Sequence, residues 1–247
     1  MVRDAVRSVV VAFGFLTRLP VPRVVVGEGD LTRASAVFGL VGLVVAAIGV
    51  AVRVGVAWIW GPVVGAVAGV LAITAVTGAF HEDGLADAAD GLWGGWEPEQ
   101  RLRIMRDSRL GTYGTIALIA VFALRFALLV PAAAETYAVA LLCGHVLGRA
   151  AGPVLVSLLP PLTNSASAEI ARPQTMAGRA VTALVVVTPV AVGAGALTVH
   201  VLAAAAVTAV CAVTLRRRLG GVTGDGIGAT TVLIEVAVVA VVVAARP

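Results

Sequence analysis

His81, Glu82, Asp83, Asp87 and Asp90 crowd into one short stretch, with Asp107 further on, in a chain of 247 residues that has only 14 acids. In a helix turning about 100° per residue, Asp83, Asp87 and Asp90 fall at i, i+4 and i+7 and share one face. Like charges at that spacing repel one another unless something positive sits among them. Hard oxygen ligands without thiolates favour Mg2+, Mn2+ or Ca2+ over zinc, and Mg2+ commonly completes its shell with substrate phosphates. The pattern predicts a metal-assisted phosphate site, with Gly84 and Gly91 allowing close approach of backbone or ligand. The competing reading is a solvated acidic loop.

Two further clusters point the same way. Arg106, Asp107 and Arg109 lie in the stretch Ile104 to Gly114, where Arg suits phosphate by bidentate hydrogen bonding and the glycines suit a backbone close to a ligand. Simple anchoring of a membrane helix explains any one of these Arg equally well. Gly221, Gly224, Gly226 and Gly228 surround Asp225 at the start of the last apolar run. Such an N-terminus holds an anion on backbone N–H groups or supplies another metal oxygen. Arg149 and Glu235 stand inside apolar runs, where a charge is costly enough to count as a functional candidate, whereas snorkelling or pairing explains Arg125. His145 and His200 read as packed histidines, and Cys143 and Cys211, without metal-ligand spacing, as buried bystanders.

The elements that must position these residues are membrane helices. Hydrophobic residues make up 60% of the chain and charged residues 13%, and the mean hydropathy is +1.02. Such a chain needs lipid as its solvent. Runs long enough to cross a bilayer fall at 35–55, 61–80, 112–131, 137–158, 180–198, 199–215 and 227–245, the fifth and sixth meeting in a tight turn at Thr198 to His200. The fold class is therefore all-α, a polytopic transmembrane bundle of about seven spans forming a single integral membrane domain over 1–247. The stretch to Pro22, with Arg3, Asp4, Arg7 and Arg18 around a short apolar core, reads as an amphipathic helix lying in the membrane interface, not as a cleaved signal peptide. The cationic residues are all Arg, and they cluster before residue 34, at 101–109, at 172–179 and at 216–218, with Arg53 and Arg246 on the opposite side. By the positive-inside rule the N-terminus and the loops 81–111, 159–179 and 216–226 are cytoplasmic. The net charge of +4 is spread over several loops with no basic stripe interleaved with aromatics, so no nucleic-acid partner is implied.

Together the three clusters resemble the cobalamin synthase family, the adenosylcobinamide-GDP ribazoletransferases. The resemblance runs nearly the whole chain: Phe15 to Pro22, then His81-x-Asp83-Gly84-Leu85-Ala86-Asp87-x-x-Asp90-Gly91, then Ile104 to Gly114, then Gly220-Gly221-x-Thr223-Gly224-Asp225. Glu82 stands where the family usually has a hydrophobic residue. The resemblance implies a Mg2+-dependent enzyme of a prokaryotic cell (inner) membrane. It would join adenosylcobinamide-GDP to α-ribazole or its 5′-phosphate and release GMP, late in vitamin B12 synthesis. It implies His81, Asp83, Asp87 and Asp90 as catalytic residues. Arg18, Arg106, Asp107, Arg109, Arg149, Gly221 and Gly224 would meet substrate phosphate, and Asp83, Asp87, Asp90, Asp225 and Glu235 the metal. The partners are the corrinoid nucleotide, α-ribazole and membrane lipid, with assembly into a homo-oligomer left open. A CDP-alcohol phosphotransferase also spaces aspartates on membrane helices, but here Asp87 follows Ala86 where that pattern requires Arg. A divalent-cation transporter predicts acids near the middle of spans, whereas most of these sit at helix ends.

The orientation has a direct test. In a background lacking Cys143 and Cys211, a Ser108→Cys variant resists an impermeant thiol reagent applied to intact cells and reacts once the membrane is opened. Ready labelling from outside inverts the topology.

Overall fold

The computed structural model describes residues 2–162, 170, 174–176, 178–180, 182–183 and 197–245. Among them are nine helices: α1 (Val2–Leu16), α2 (Asp30–Ser35), α3 (Phe38–Thr77), α4 (Phe80–Gly94), α5 (Pro98–Met105), α6 (Thr112–Leu129), α7 (Ala134–Leu158), α8 (Leu197–Leu219) and α9 (Gly224–Ala245). Five of these, α3, α6, α7, α8 and α9, are long and apolar enough to cross a membrane. Among the described residues the only β-type pairing is an isolated bridge, in which Val222 donates to Pro160 O at 2.9 Å and Leu162 to Val222 O at 3.0 Å. It ties the end of α7 to the start of α9.

The spans expected at 35–55 and 61–80 are the two halves of α3. Gly61 adopts φ 84°, open to glycine alone without strain, and Pro62, which has no N–H to leave unpaired, begins the second half. The halves run back against each other so closely that a Cβ on Gly69 would stand 2.6 Å from Gly49 O. The expected spans at 112–131, 137–158, 199–215 and 227–245 correspond to α6, α7, α8 and α9. The count of about seven is not reached among the described residues, and 180–198 lies almost wholly outside them. Two expectations are corrected. Thr198 to His200 is the first turn of α8 and no tight turn, and 81–111 is no loop but carries α4 and α5. Glycine, proline and acids gave that stretch a loop-like composition, yet Leu85, Ala88 and Leu92 supply it with a buried helical face.

A reversal at Gly78 and Ala79 launches α4. Gly78 N–H donates to Ala75 O and Ala79 N–H to Thr74 O, which satisfies the last carbonyls of α3. Ala79 is the one described non-glycine residue with positive φ, at 57°. That left-handed geometry costs about 1–2 kcal/mol in a residue with a Cβ. The helix then crosses α9 where two glycines meet. A Cβ on Gly84 would lie 3.2 Å from Asp225 Cα, and one on Gly228 3.4 Å from Gly84 Cα. Further along, Asp90 accepts the N–H groups of Gly111 at 2.7 Å and Gly114 at 2.9 Å, so one carboxylate caps the start of α6.

The centre of the bundle is ionic. Arg125 on α6 donates to Glu82 of α4 and to Glu235 of α9, both at 2.7 Å. Glu235 also accepts from Arg149 of α7 at 2.8 Å and lies 2.7 Å from His145 Nδ1. All five side chains are buried. Two guanidinium groups and two carboxylates balance, so removing one leaves an uncompensated buried charge at a cost of roughly 3–5 kcal/mol. We expect Arg125→Met to lower the thermal unfolding midpoint of the purified protein in detergent. The double variant Arg125→Met/Glu82→Met, which restores balance, recovers much of the loss. Equal midpoints for the single and double variants would show that this balance does not hold the bundle.

Candidate active site

A cavity of about 380 Å3 opens between the C-terminal end of α1, the start of α3, and α4, α5, α7 and α9. Phe15, Phe38 and Phe80 form one wall: Phe15 stacks with Phe38 at a centroid distance of 6.0 Å and meets Phe80 edge-on at 5.4 Å. His81, Asp83, Arg106, Arg149, Gly224 and Asp225 reach the same cavity. Residues from the central signature, the Arg cluster, the glycine cluster and the intramembrane pair are thus brought to one place.

The glycine crossing of α4 and α9 explains the meeting of Asp83 and Asp225. Asp83 is exposed, and Asp87, one turn along α4, is half-buried. Asp225 is not the cap of its helix: Thr223 fills that position, its Oγ1 accepting Gly226 N–H at 3.1 Å. Among the described residues no side chain forms an ion pair or hydrogen bond with Asp83, Asp87 or Asp225. The acids therefore act on one another. Burial, with Asp83, Asp225 and Asp90 adding repulsion, pushes the Asp87 carboxyl up to about 6. Crowded hard-oxygen donors without a compensating cation are chemically suited to a divalent ion such as Mg2+. As the side chains stand, no three acid, histidine or cysteine groups among the described residues converge tightly enough to hold one ion.

His81 is buried, and that burial, reinforced by nearby Arg149, pushes its imidazole down to about 3, so the ring is neutral near pH 7. Arg149 lines the cavity with 3% of its surface exposed, and its buried Nε–H has no acceptor among the described residues. Arg106 is exposed and lines the cavity from the end of α5.

Other expected site residues lie apart. Arg18 packs over the turn at Gly78. Asp107 and Arg109 pair with each other at 2.6 Å on the surface. Gly221 is pressed against Pro160 O and Leu162, where a Cβ does not fit, and serves the bridge between α7 and α9. Both oxygens of Asp90 are taken by the start of α6, and both of Glu235 by the ionic centre. Arg125 pairs with Glu82 and Glu235, one of the two readings its place in an apolar run allowed, whereas the phenylalanine wall, Thr223 as the cap of α9, and the engagement of Glu82 and His145 carried no signal in residue type or spacing. Each depends on which helices are neighbours.

A profile of the cobalamin-5-phosphate synthase family matches residues 8–243. Among curated proteins, the chain is similar to an adenosylcobinamide-GDP ribazoletransferase of Shewanella halifaxensis, 46% identical over 143 residues, which span 56% of this chain and 55% of that one. Proteins of the same name in Ralstonia nicotianae and Azorhizobium caulinodans are 38% and 37% identical; the first comparison covers 98% of this chain and 96% of the relative, the second 96% and 95%. No solved structure matches. With the profile matched from α1 to the end of α9 and relatives aligned across nearly all of the sequence, the chain belongs to the cobalamin-5-phosphate synthase family.

Proposed function

We propose that the protein is a Mg2+-dependent transferase of a prokaryotic cytoplasmic membrane, its site facing the cytoplasm. It joins adenosylcobinamide-GDP to α-ribazole or its 5′-phosphate and releases GMP. The observation that carries the reading is the juxtaposition of uncompensated Asp83 and Asp225 with Arg106 and Arg149 around one cavity, with Asp87 close enough for both acids to raise its carboxyl. Together with the names of the relatives, it calls for a substrate that is a pyrophosphate.

Asp83, Asp87 and Asp225 would hold the metal; Asp90 and Glu235 drop out of the ligand set because their oxygens are already bonded. Held by these residues, Mg2+ would supply neutralisation of the phosphate charge that develops as GMP departs. Arg106 offers bidentate donors to the same phosphates from the exposed side. A carboxylate of the acid group accepts the proton of the attacking ribose hydroxyl as its oxygen bonds to phosphorus. The rival readings gain no support. Among the described residues the buried acids Glu82 and Glu235 are both neutralised by Arg, which does not favour a cation transporter.

Purified protein given adenosylcobinamide-GDP, α-ribazole 5′-phosphate and Mg2+ should release GMP. Asp83→Asn and Asp225→Asn each depress turnover or raise the Mg2+ requirement by a factor of about ten or more, on the order of 1.4 kcal/mol. Asp90→Asn instead lowers the unfolding midpoint while leaving the Mg2+ requirement in place, since it loses an acceptor for a buried N–H at about 1–3 kcal/mol. Normal turnover in a folded Asp83→Asn variant removes the metal site.

A second measurement needs no substrate. Asp87 holds its proton more tightly folded than unfolded, its carboxyl being raised from 3.8 to about 6. Its contribution to stability is therefore present at low pH and lost as pH rises from about 4 to about 6. Above that window the ionised acids repel, and Mg2+ relieves the repulsion. The increase in unfolding midpoint on adding Mg2+ is thus larger at about pH 7.5 than at about pH 5, and Asp87→Asn shrinks it. A Mg2+ effect independent of both pH and Asp87 places the ion elsewhere.

A further inference from the structure

A second cavity, of about 740 Å3, is a groove between α7, α8 and the segment that carries Gln174, Arg179 and Thr182. It shares a single described lining residue, the buried Ile170, with the active-site cavity, so whatever fills it does not occupy the substrate's place. The groove is hollow because its helices face it with alanine. Ala150 and Ala151 of α7 and Ala204, Ala205 and Ala209 of α8 are too short to fill the space. Val154, Leu158 and Val201 line it and are exposed, so it opens towards the lipid. An apolar gap forfeits the dispersion contacts of every atom that borders it, and a chain of methylene groups restores them.

The polar lining narrows the occupant further. Among the described residues the groove has no acid, histidine or cysteine. Four of its polar side chains are already engaged: Ser157 donates to Val154 O at 2.6 Å, Thr208 to Ala204 O at 2.7 Å, Thr182 to Gly178 O at 3.1 Å and Gln174 to Ser35 Oγ at 2.7 Å. Arg179 is the exception. It is exposed, and no acid or acceptor among the described residues meets its guanidinium. The dimensions agree with this division. Leu147 to Leu158 along α7 spans about 16 Å at 1.5 Å per residue, close to half of a hydrocarbon core of roughly 30 Å. An apolar channel one leaflet deep with a single free cation matches an acyl chain that ends in a phosphate.

We propose that this groove binds one anionic phospholipid. An acyl chain lies along Leu147 to Leu158 over the alanine floor, and the headgroup phosphate pairs with Arg179. On the orientation given above, the lipid comes from the cytoplasmic leaflet. The site depends on the membrane class of the protein and not on the reaction it carries out.

The test uses protein reconstituted in phosphatidylcholine liposomes with a minor share of phosphatidylglycerol bearing a photoreactive acyl chain, the labelled residues being mapped by mass spectrometry. Labels concentrate on 147–158 and 201–209 relative to Ile116 and Ile119 of α6, which are also exposed, and unlabelled phosphatidylglycerol displaces them better than phosphatidylcholine. Arg179→Gln lowers labelling of the groove by the phosphatidylglycerol probe by about fivefold, the worth of one Arg beside an anionic headgroup, and leaves labelling by a phosphatidylcholine probe unchanged. Ala205→Leu fills the floor and lowers groove labelling with either probe. Labels spread evenly over α6, α7 and α8 overturn the site. An Arg179→Gln variant labelled like the wild type, or weakened equally towards both probes, overturns the headgroup assignment. An unlabelled groove in protein that is dimeric in the same liposomes means that a second copy covers this face, and it too overturns the proposal.

Discussion

Four helices are held in register by charge in a place where charge is expensive. Arg125 bridges Glu82 and Glu235, and Glu235 in turn holds Arg149 and His145, so α4, α6, α7 and α9 each contribute to one ionic centre. In a low-dielectric interior none of these ions is tolerable alone, and a slip of any helix by one turn would strand at least one of them. The site inherits that constraint directly. Glu82 lies between His81 and Asp83, so pinning it fixes where those two side chains emerge, and the bonds to Arg149 Nη1 hold that guanidinium beside the cavity.

Glycine sets the distances that charge alone would not. The crossing of Gly84 with Gly228 puts Asp83 beside Asp225 although more than half the chain separates them. Gly144 and Gly148 bring α7 against Glu235 and Thr231, and Thr231 Oγ1 donates to Gly148 O at 3.2 Å. Close packing of small residues is the usual means of joining helices where lipid removes the hydrophobic incentive to associate. Here the same contacts decide which acids become neighbours.

Periodicity and composition revealed the membrane class, the three clusters and the shared face of Asp83 and Asp87, because those properties are local. Asp90 shows where local reasoning ends. It lies on the same face, but two turns further along, where the start of α6 presents two N–H groups to it. Helical spacing assigns a face and says nothing of what each level of that face meets. Glu235 illustrates a second limit, since the rule that intramembrane charge is costly detects the expense without distinguishing a ligand from an ion-pair partner. The break at Gly61-Pro62 was legible as a dipeptide that ends one helix and begins another. The turn expected at Thr198 to His200 had no such marker, and helix continues through it.

The bridge between Pro160 to Leu162 and Val222 also determines how the cavity walls are fastened. It fastens the end of α7 to the beginning of α9, and the glycine crossing brings α9 against α4, so three of the cavity walls are joined to one another. The remaining walls include the C-terminal end of α1 and the short helix α5, beside the start of α3 and Ile170. The first is tethered through Arg7 to Asp30, and the second leans on α4 through Met105 at Gly91. Of the cavity walls, α1 and α5 are the ones that carry Arg3, Arg7, Arg101 and Arg103, so the less fastened side of the cavity is also its Arg-rich side.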